Sequence, residues 1–255
     1  MNITIKTPEE IKILKEGGKR LAKILASMVE AAKPGVSTLY VDGLAESLIF
    51  KSGGKPAFKG YRSKEGLIYD HSICASVNDN IVHGLPRQDI LLKEGDILGL
   101  DIGMGWGGLF TDTAVTIGVG KIAEDAKKLL HSTKEALQVG IKTVRPGVKV
   151  GDIGYAIQQC LEKNKLGVIR ELAGHGVGYE LHEEPLIPNF GKMGTGLRLK
   201  EGMVLAIEPM ASLGDWRLKL ADDGWTFKTK DGSLAAHFEH TLVVTENGAE
   251  VLTKL

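Results

Sequence analysis

Residues 99–115 read GLDIGMGWGGLFTDTAV, a pair of apolar strands joined by a glycine-rich turn, with one aspartate set into each strand. A hairpin about that turn has its midpoint between Trp106 and Gly107 and places Asp101 opposite Asp112. Like charges facing each other on paired strands destabilise a sheet. Either these carboxylates point into water or something positive offsets their repulsion.

The rest of the chain narrows the choice. Its 255 residues fit one large domain or two small ones and bury a sizeable core. Lys plus Arg and Asp plus Glu both number 32, so no overall basic field draws the protein to DNA or to an anionic membrane. Cys74 and Cys160 lie far apart and form no CxxC pair, the usage of a reducing compartment, and the cytoplasm is the expected location. The opening MNITIKTPEEIKILKEGG has neither the apolar core nor the cleavage site of a secretory signal. It reads as a helix start, with Thr7 as N-cap, Pro8 at the first helical position and Glu10 closing a capping box. Ile11, Leu14, Leu21, Leu25 and Met28 then mark one apolar face. No run of about 20 apolar residues suggests a membrane span.

Self-similarity divides the chain in two. KPGVSTLYVDGLAESLIFKSGG from residue 33 resembles RPGVKVGDIGYAIQQCLEKNKLG from residue 145, each a basic residue and PGV followed by a helical pattern. KEGDILGLDIG (93–103) resembles KEGMVLAIEPM (200–210), which aligns Asp101 with Glu208. TDTAVTIGVG (111–120) matches FEHTLVVTENG (238–248) more loosely and aligns Asp112 with Glu239. Each half therefore reads as helices followed by an antiparallel hairpin, an α+β pattern with helices on one side of a shared sheet. In the second half Asp223-Gly224 is the turn signal, and the midpoint of Glu208 and Glu239 falls on it. A strand pair of that length is expected to be interrupted.

Four carboxylates converging on one partly buried site would carry four negative charges, which no interior tolerates unpaired. Two divalent cations balance them, and partly protonated, hydrogen-bonded carboxyl pairs are the other escape. ELAGHGVGYELHEEP (171–185) supplies His175 between glycines and His182, and His83 in VHGLP occupies a place in the first half comparable to that of His182. Other motifs fail on context. Gly103, Gly105 and Gly108 spell GxGxxG but continue into a strand instead of a helix. HEEPL has Leu186 where a zinc-protease helix needs its second histidine, and Pro185 disrupts the helix. No GxSxG elbow or P-loop occurs, and neither cysteine has a histidine close in sequence to suggest a thiol nucleophile.

With VNDNIVHGLP, GDILGLDIG followed by TDTAVT, GHGVGYELHEEP, GMVLAIEPM and FEHTLVVTENG in this order, the chain resembles the type I methionine aminopeptidases over essentially its whole length. The resemblance implies a pita-bread fold, one catalytic metallopeptidase domain over 1–255 with pseudo-twofold halves of about 1–120 and 121–255, its helices packed on a curved antiparallel sheet. It implies two divalent metal ions, of cobalt, manganese, iron or zinc, held by Asp101, Asp112, His175, Glu208 and Glu239, with Asp112 and Glu239 bridging. A metal-bridged hydroxide would remove the N-terminal methionine of nascent chains, with a small second residue preferred. Glu208 would carry protons, while His83 and His182 would face the substrate as catalytic and binding groups. Cys74, Tyr69, Leu181 and Trp225 match or lie near the walls of the methionine pocket. A monomer is implied, and contact with the ribosome suits an enzyme acting on nascent chains.

Some positions depart from the family pattern. The segment 61–72 is longer than its usual loop, which leaves Tyr61 and Tyr69 open as pocket residues. Leu181 stands where an aromatic is common, and Ala206 replaces a hydroxyl. His237 replaces a glutamine and shares a strand face with Glu239, so it reads as a partner of the ligands, an extra ligand or a surface histidine. A prolidase-like or aminopeptidase P-like hydrolase and a pita-bread scaffold that binds a partner without catalysis are the competing readings. The first usually carries a further N-terminal domain, and the second predicts lost ligands.

Overall fold

A computed structural model describes residues 3–63 and 66–254, so residues 64 and 65 of the 61–72 segment lie outside the described residues. The first half runs α1 (Pro8–Ala31), α2 (Thr38–Lys51), β1 (Lys55–Pro56), β2 (Ile73–Val77), β3 (Asn80–Val82), β4 (Ile97–Trp106) and β5 (Leu109–Gly118). The second begins with α3 (Glu124–Thr143), α4 (Val150–Lys163), β6 (Gly167–Val168), β7 (Ala173–Gly176), β8 (Glu183–Pro188) and β9 (Val204–Ile207). It ends with β10 (Met210–Ser212), β11 (Leu218–Leu220), β12 (Phe227–Thr229), β13 (Ala235–His237), β14 (Glu239–Thr245) and β15 (Gly248–Val251). Two helices thus precede the strands in each half, as the α+β reading expects.

The capping box forms as read: Thr7 N–H donates to Glu10 Oε2 at 2.8 Å and Glu10 N–H to Thr7 Oγ1 at 3.3 Å. Leu21 and Met28 of α1 and Val41, Ala45 and Ile49 of α2 then pack on Leu98, Leu100, Ile102 and Met104 of β4. Because side chains alternate across a strand, the even-numbered residues of β4 face these helices and Gly99, Asp101 and Gly103 face the other way. Burial of the apolar set on one face is what fixes the direction of Asp101. In the second half Leu129, Ala136 and Leu137 of α3 and Ile153, Ile157 and Leu161 of α4 cover Leu205, Ile207, Leu242 and Val244.

One antiparallel sheet joins the halves in the order β1-β4-β5-β14-β9-β7-β8, with β2 on β4 and β15 on β14. The β4–β5 hairpin turns at Gly107 and Gly108, with φ of 59° and 85°, the pair of positive values a two-residue type I′ turn requires. The register is therefore two residues away from the sequence reading: Asp101 faces Ala114, and Asp112 faces Gly103. The aspartates are diagonal neighbours on one face, which eases their repulsion without removing it.

The second hairpin keeps the register read from sequence. Ile207 pairs with His240, Met210 with His237, and Leu220 with Phe227, all about a turn at Asp223-Gly224. It is interrupted as expected, since Pro209 has no N–H to offer a ladder and separates β9 from β10. Glu208 sits in that break, and the shared register brings it opposite Glu239 at the start of β14.

Candidate metal centre

Hydroxyl groups stitch the acidic strands together. Thr241 Oγ1 accepts from Asp112 N–H at 2.9 Å and donates to Asp112 O at 2.7 Å. Thr113 Oγ1 donates to Glu239 O at 2.9 Å, although 126 residues separate them. These bonds satisfy backbone groups that the short β5–β14 ladder leaves over, and they set Asp112 beside Glu239.

All eleven residues singled out in the sequence line one cavity of about 200 Å³: Asp101, Asp112, His175, Glu208 and Glu239, with His83, His182, Tyr69, Cys74, Leu181 and Trp225. Donor atoms of Asp112, His175 and Glu239 come within 4.8 Å of one another. Glu208 Oε1 stands 3.5 Å from His175 Nε2. His175 Nδ1 lies 2.8 Å from Gly176 O, a contact that places the ring proton on Nδ1 and leaves Nε2 with a free lone pair facing the cavity.

The electrostatics are those of closely packed, buried acids beside a buried imidazole. Burial first, and then the charges of Asp112 and Glu208, raise the Asp101 carboxyl well above the usual range. Burial and the charges of Asp112, Glu208 and Asp101 do the same to Glu239. Asp112 is raised by burial and by Glu208, against the opposing Thr113 N–H. His175 is pushed down to about 3, mainly by burial. Asp101 Oδ1 and Glu239 Oε1 are buried with no hydrogen-bond partner. Neutral imidazole and carboxylate oxygens are the donors that divalent first-row metals take, and their orphaned atoms and mutual repulsion fit a bound cation better than a dry carboxyl cluster.

Beside the acids lies an apolar wall. Phe58, Tyr69, Cys74 and Leu181 form a buried cluster with Trp225 packed against it. Tyr69 meets Trp225 edge-on at 5.1 Å, and its hydroxyl donates to Ile73 O at 2.9 Å. His83 adopts a left-handed φ of 56°, and burial lowers its pKa to about 4. His182 packs edge-on between Tyr61 at 5.4 Å and His175 at 4.5 Å.

Four lining residues were left open by the sequence reading or escaped it. Tyr61 and Tyr69, left open by the long 61–72 segment, both line the cavity. His237 is no surface histidine but 3% exposed. Phe58 carried no motif; its only trace was Gly103, whose added Cβ would lie 2.8 Å from the Phe58 ring.

The model of metallopeptidase family M24 matches residues 12–246. Methionine aminopeptidase 1 of Bacillus subtilis is 45% identical over 99% of this chain and 100% of its own length. The methionine aminopeptidase of Aquifex aeolicus is 44% identical and covers 100% of both chains. The crystal structure of methionine aminopeptidase from Thermotoga maritima superposes with a TM-score of 0.96 at 48% identity, covering 100% of both chains. Prolidase from Pyrococcus furiosus shares the fold at a TM-score of 0.78 and 25% identity, and the match covers 98% of this chain but 65% of that one.

Proposed function

The chain belongs to metallopeptidase family M24, and from that premise we propose that it hydrolyses the first peptide bond of polypeptides that begin with methionine, releasing the methionine. The observation that carries this reading is the convergence of five metal-competent side chains beside an apolar pocket in a single cavity. Relatives bearing the name methionine aminopeptidase match it end to end, whereas prolidase extends well beyond the matched region. The prolidase-like alternative is therefore not favoured.

Asp101, Asp112, His175, Glu208 and Glu239 would hold two divalent cations, cobalt, manganese, iron or zinc. Bound there, the cations supply Lewis acidity, which lowers the pKa of water towards about 7 and polarises the scissile carbonyl. The protein supplies the remainder. The Glu208 carboxylate takes the proton of the attacking water and returns one to the leaving amine. His182, at the cavity mouth, donates to the carbonyl oxygen as negative charge grows on it. His83 faces the substrate across the cavity. Tyr69, Cys74, Leu181 and Trp225 receive the methionine side chain, whose thioether suits aromatic and sulfur neighbours.

The whole of 1–255 serves as one catalytic domain built from related halves of about 1–120 and 121–255. Its substrates are the exposed N-termini of nascent chains with a small second residue, met in the cytoplasm and at the ribosome by a monomer. No helix among the described residues is long and apolar enough to cross a membrane. The test is release of methionine from Met-Ala-Ser and Met-Leu-Ser by metal-stripped protein titrated anaerobically with manganese, iron, cobalt and zinc. Metal-dependent cleavage of the first and little of the second is expected. No cleavage of either by folded, metal-loaded protein would overturn the reading in favour of a binding scaffold.

A further inference from the structure

His237 Nε2 is buried, has no hydrogen-bond partner and opens on the cavity, yet it stands 3.4 Å from Glu208 Oε2. A buried ring nitrogen left unpaired costs the fold free energy, so a partner that satisfies it is stabilising. The backbone there is fixed: Thr116 Oγ1 donates to His237 O at 2.8 Å and accepts from His237 N–H at 2.9 Å. The backbone that carries the ring is thus held by β5, as the Asp112 backbone is held by Thr241.

His175 provides the comparison within the same cavity. Its Nε2 stands 3.5 Å from the other oxygen of Glu208, so two imidazoles flank one carboxylate at nearly equal distances. Two donors each about 2.1 Å from a common cation, at angles between octahedral and tetrahedral, lie about 3.0–3.4 Å apart. A hydrogen bond would draw the atoms closer and straighten the N–H···O angle. The His237–Glu208 pair has the spacing of two ligands without the geometry of a hydrogen bond.

We propose that His237 is a further metal donor: its Nε2, with Glu208 Oε2, binds a divalent cation, giving the centre two imidazoles instead of one. This rests on the metal-centre reading above and deepens it. An added imidazole favours zinc, iron and similar borderline ions over manganese, which carboxylates alone suit.

The experiment is X-ray absorption on zinc-loaded wild-type and His237→Gln protein, combined with competitive zinc and manganese titrations of both. Two imidazoles per centre in the wild type and one in the variant are expected, with zinc affinity at one site falling at least about tenfold and manganese affinity falling less. One imidazole per centre in the wild type would overturn the proposal while leaving the metal centre intact, and the wild-type spectrum needs no variant to fold. Unchanged zinc affinity in a folded His237→Gln protein would overturn it equally. Wild type that binds neither ion would remove the metal centre and this inference together.

Discussion

Thr241 Oγ1 both accepts from the Asp112 N–H and donates to the Asp112 carbonyl, so one hydroxyl from the second half holds both polar backbone groups of an acidic residue in the first. Thr241 is fully buried, which excludes water as a substitute partner. Thr241→Val keeps the shape and removes both bonds. Because each unpaired buried group costs about 1–3 kcal/mol, the variant should be destabilised by about 2–4 kcal/mol, read from urea midpoints, and its affinity for divalent cations should fall. Thr241→Ser should recover most of both. A stable Val variant with normal metal binding would show that the stitch does not position Asp112.

The acidic cluster gives the metal-stripped protein a pH dependence of defined sign. Asp101, Asp112, Glu208 and Glu239 all have folded pKa values raised, by burial first. A carboxyl raised in this way stabilises the fold while protonated, and that contribution is lost as pH rises through its folded pKa. His83, His175 and His237 are lowered by burial, and their contribution is lost in the opposite direction, as pH falls below about 6.5. From about pH 6.5 upward, through the Asp112 value of about 7, the carboxyls act alone. Stability in the presence of EDTA should therefore fall across that window, and saturating divalent cation should abolish the fall, since it binds the deprotonated groups. Urea midpoints at several pH values with and without metal measure this; a flat profile in EDTA would contradict the clustering.

The sequence carried the acidic site better than it carried the details of its packing. Alternation along β4 shows why: with Leu98, Leu100, Ile102 and Met104 committed to the helices, Asp101 had one direction left. The first register slipped because the turn was centred on all four residues from Gly105 to Gly108, whereas the Gly107-Gly108 pair alone satisfies a type I′ turn. Asp223-Gly224 marked the second turn without ambiguity, and its register holds from Ile207–His240 to Leu220–Phe227. The burial of His237 depends on Thr116, 121 residues away, a contact no local pattern records. Phe58 was invisible for a similar reason, lying in the bend after β1 and placed by the fold against a glycine of β4.

That glycine yields a prediction about the pocket. Gly103 lies on the cavity face of β4, and an added Cβ would stand 2.8 Å from the Phe58 ring, 2.9 Å from Ala57 Cβ and 3.3 Å from Leu181 Cδ1. Gly103→Ala must push Phe58 and Leu181 into the space assigned to the methionine side chain. The expected cost is about 1–3 kcal/mol of stability, with KM for methionyl peptides raised more than kcat is lowered and metal content unchanged. Equal KM values would place the methionine side chain elsewhere.

His182 separates substrate chemistry from metal binding. Its ring packs edge-on against His175 at 4.5 Å, and the proposed metal centre assigns it no donor role. If it donates to the carbonyl oxygen, that bond strengthens as charge develops, so its loss falls on the chemical step. His182→Ala should lower kcat by about 10²–10³ while metal content, measured by atomic absorption, stays at the wild-type level and KM moves little. Asp112→Asn is the contrasting variant, in which metal content and activity should fall together because it removes charge from a donor atom. Loss of metal from His182→Ala would make that histidine a ligand, and unchanged kcat would leave the oxyanion to the cations alone.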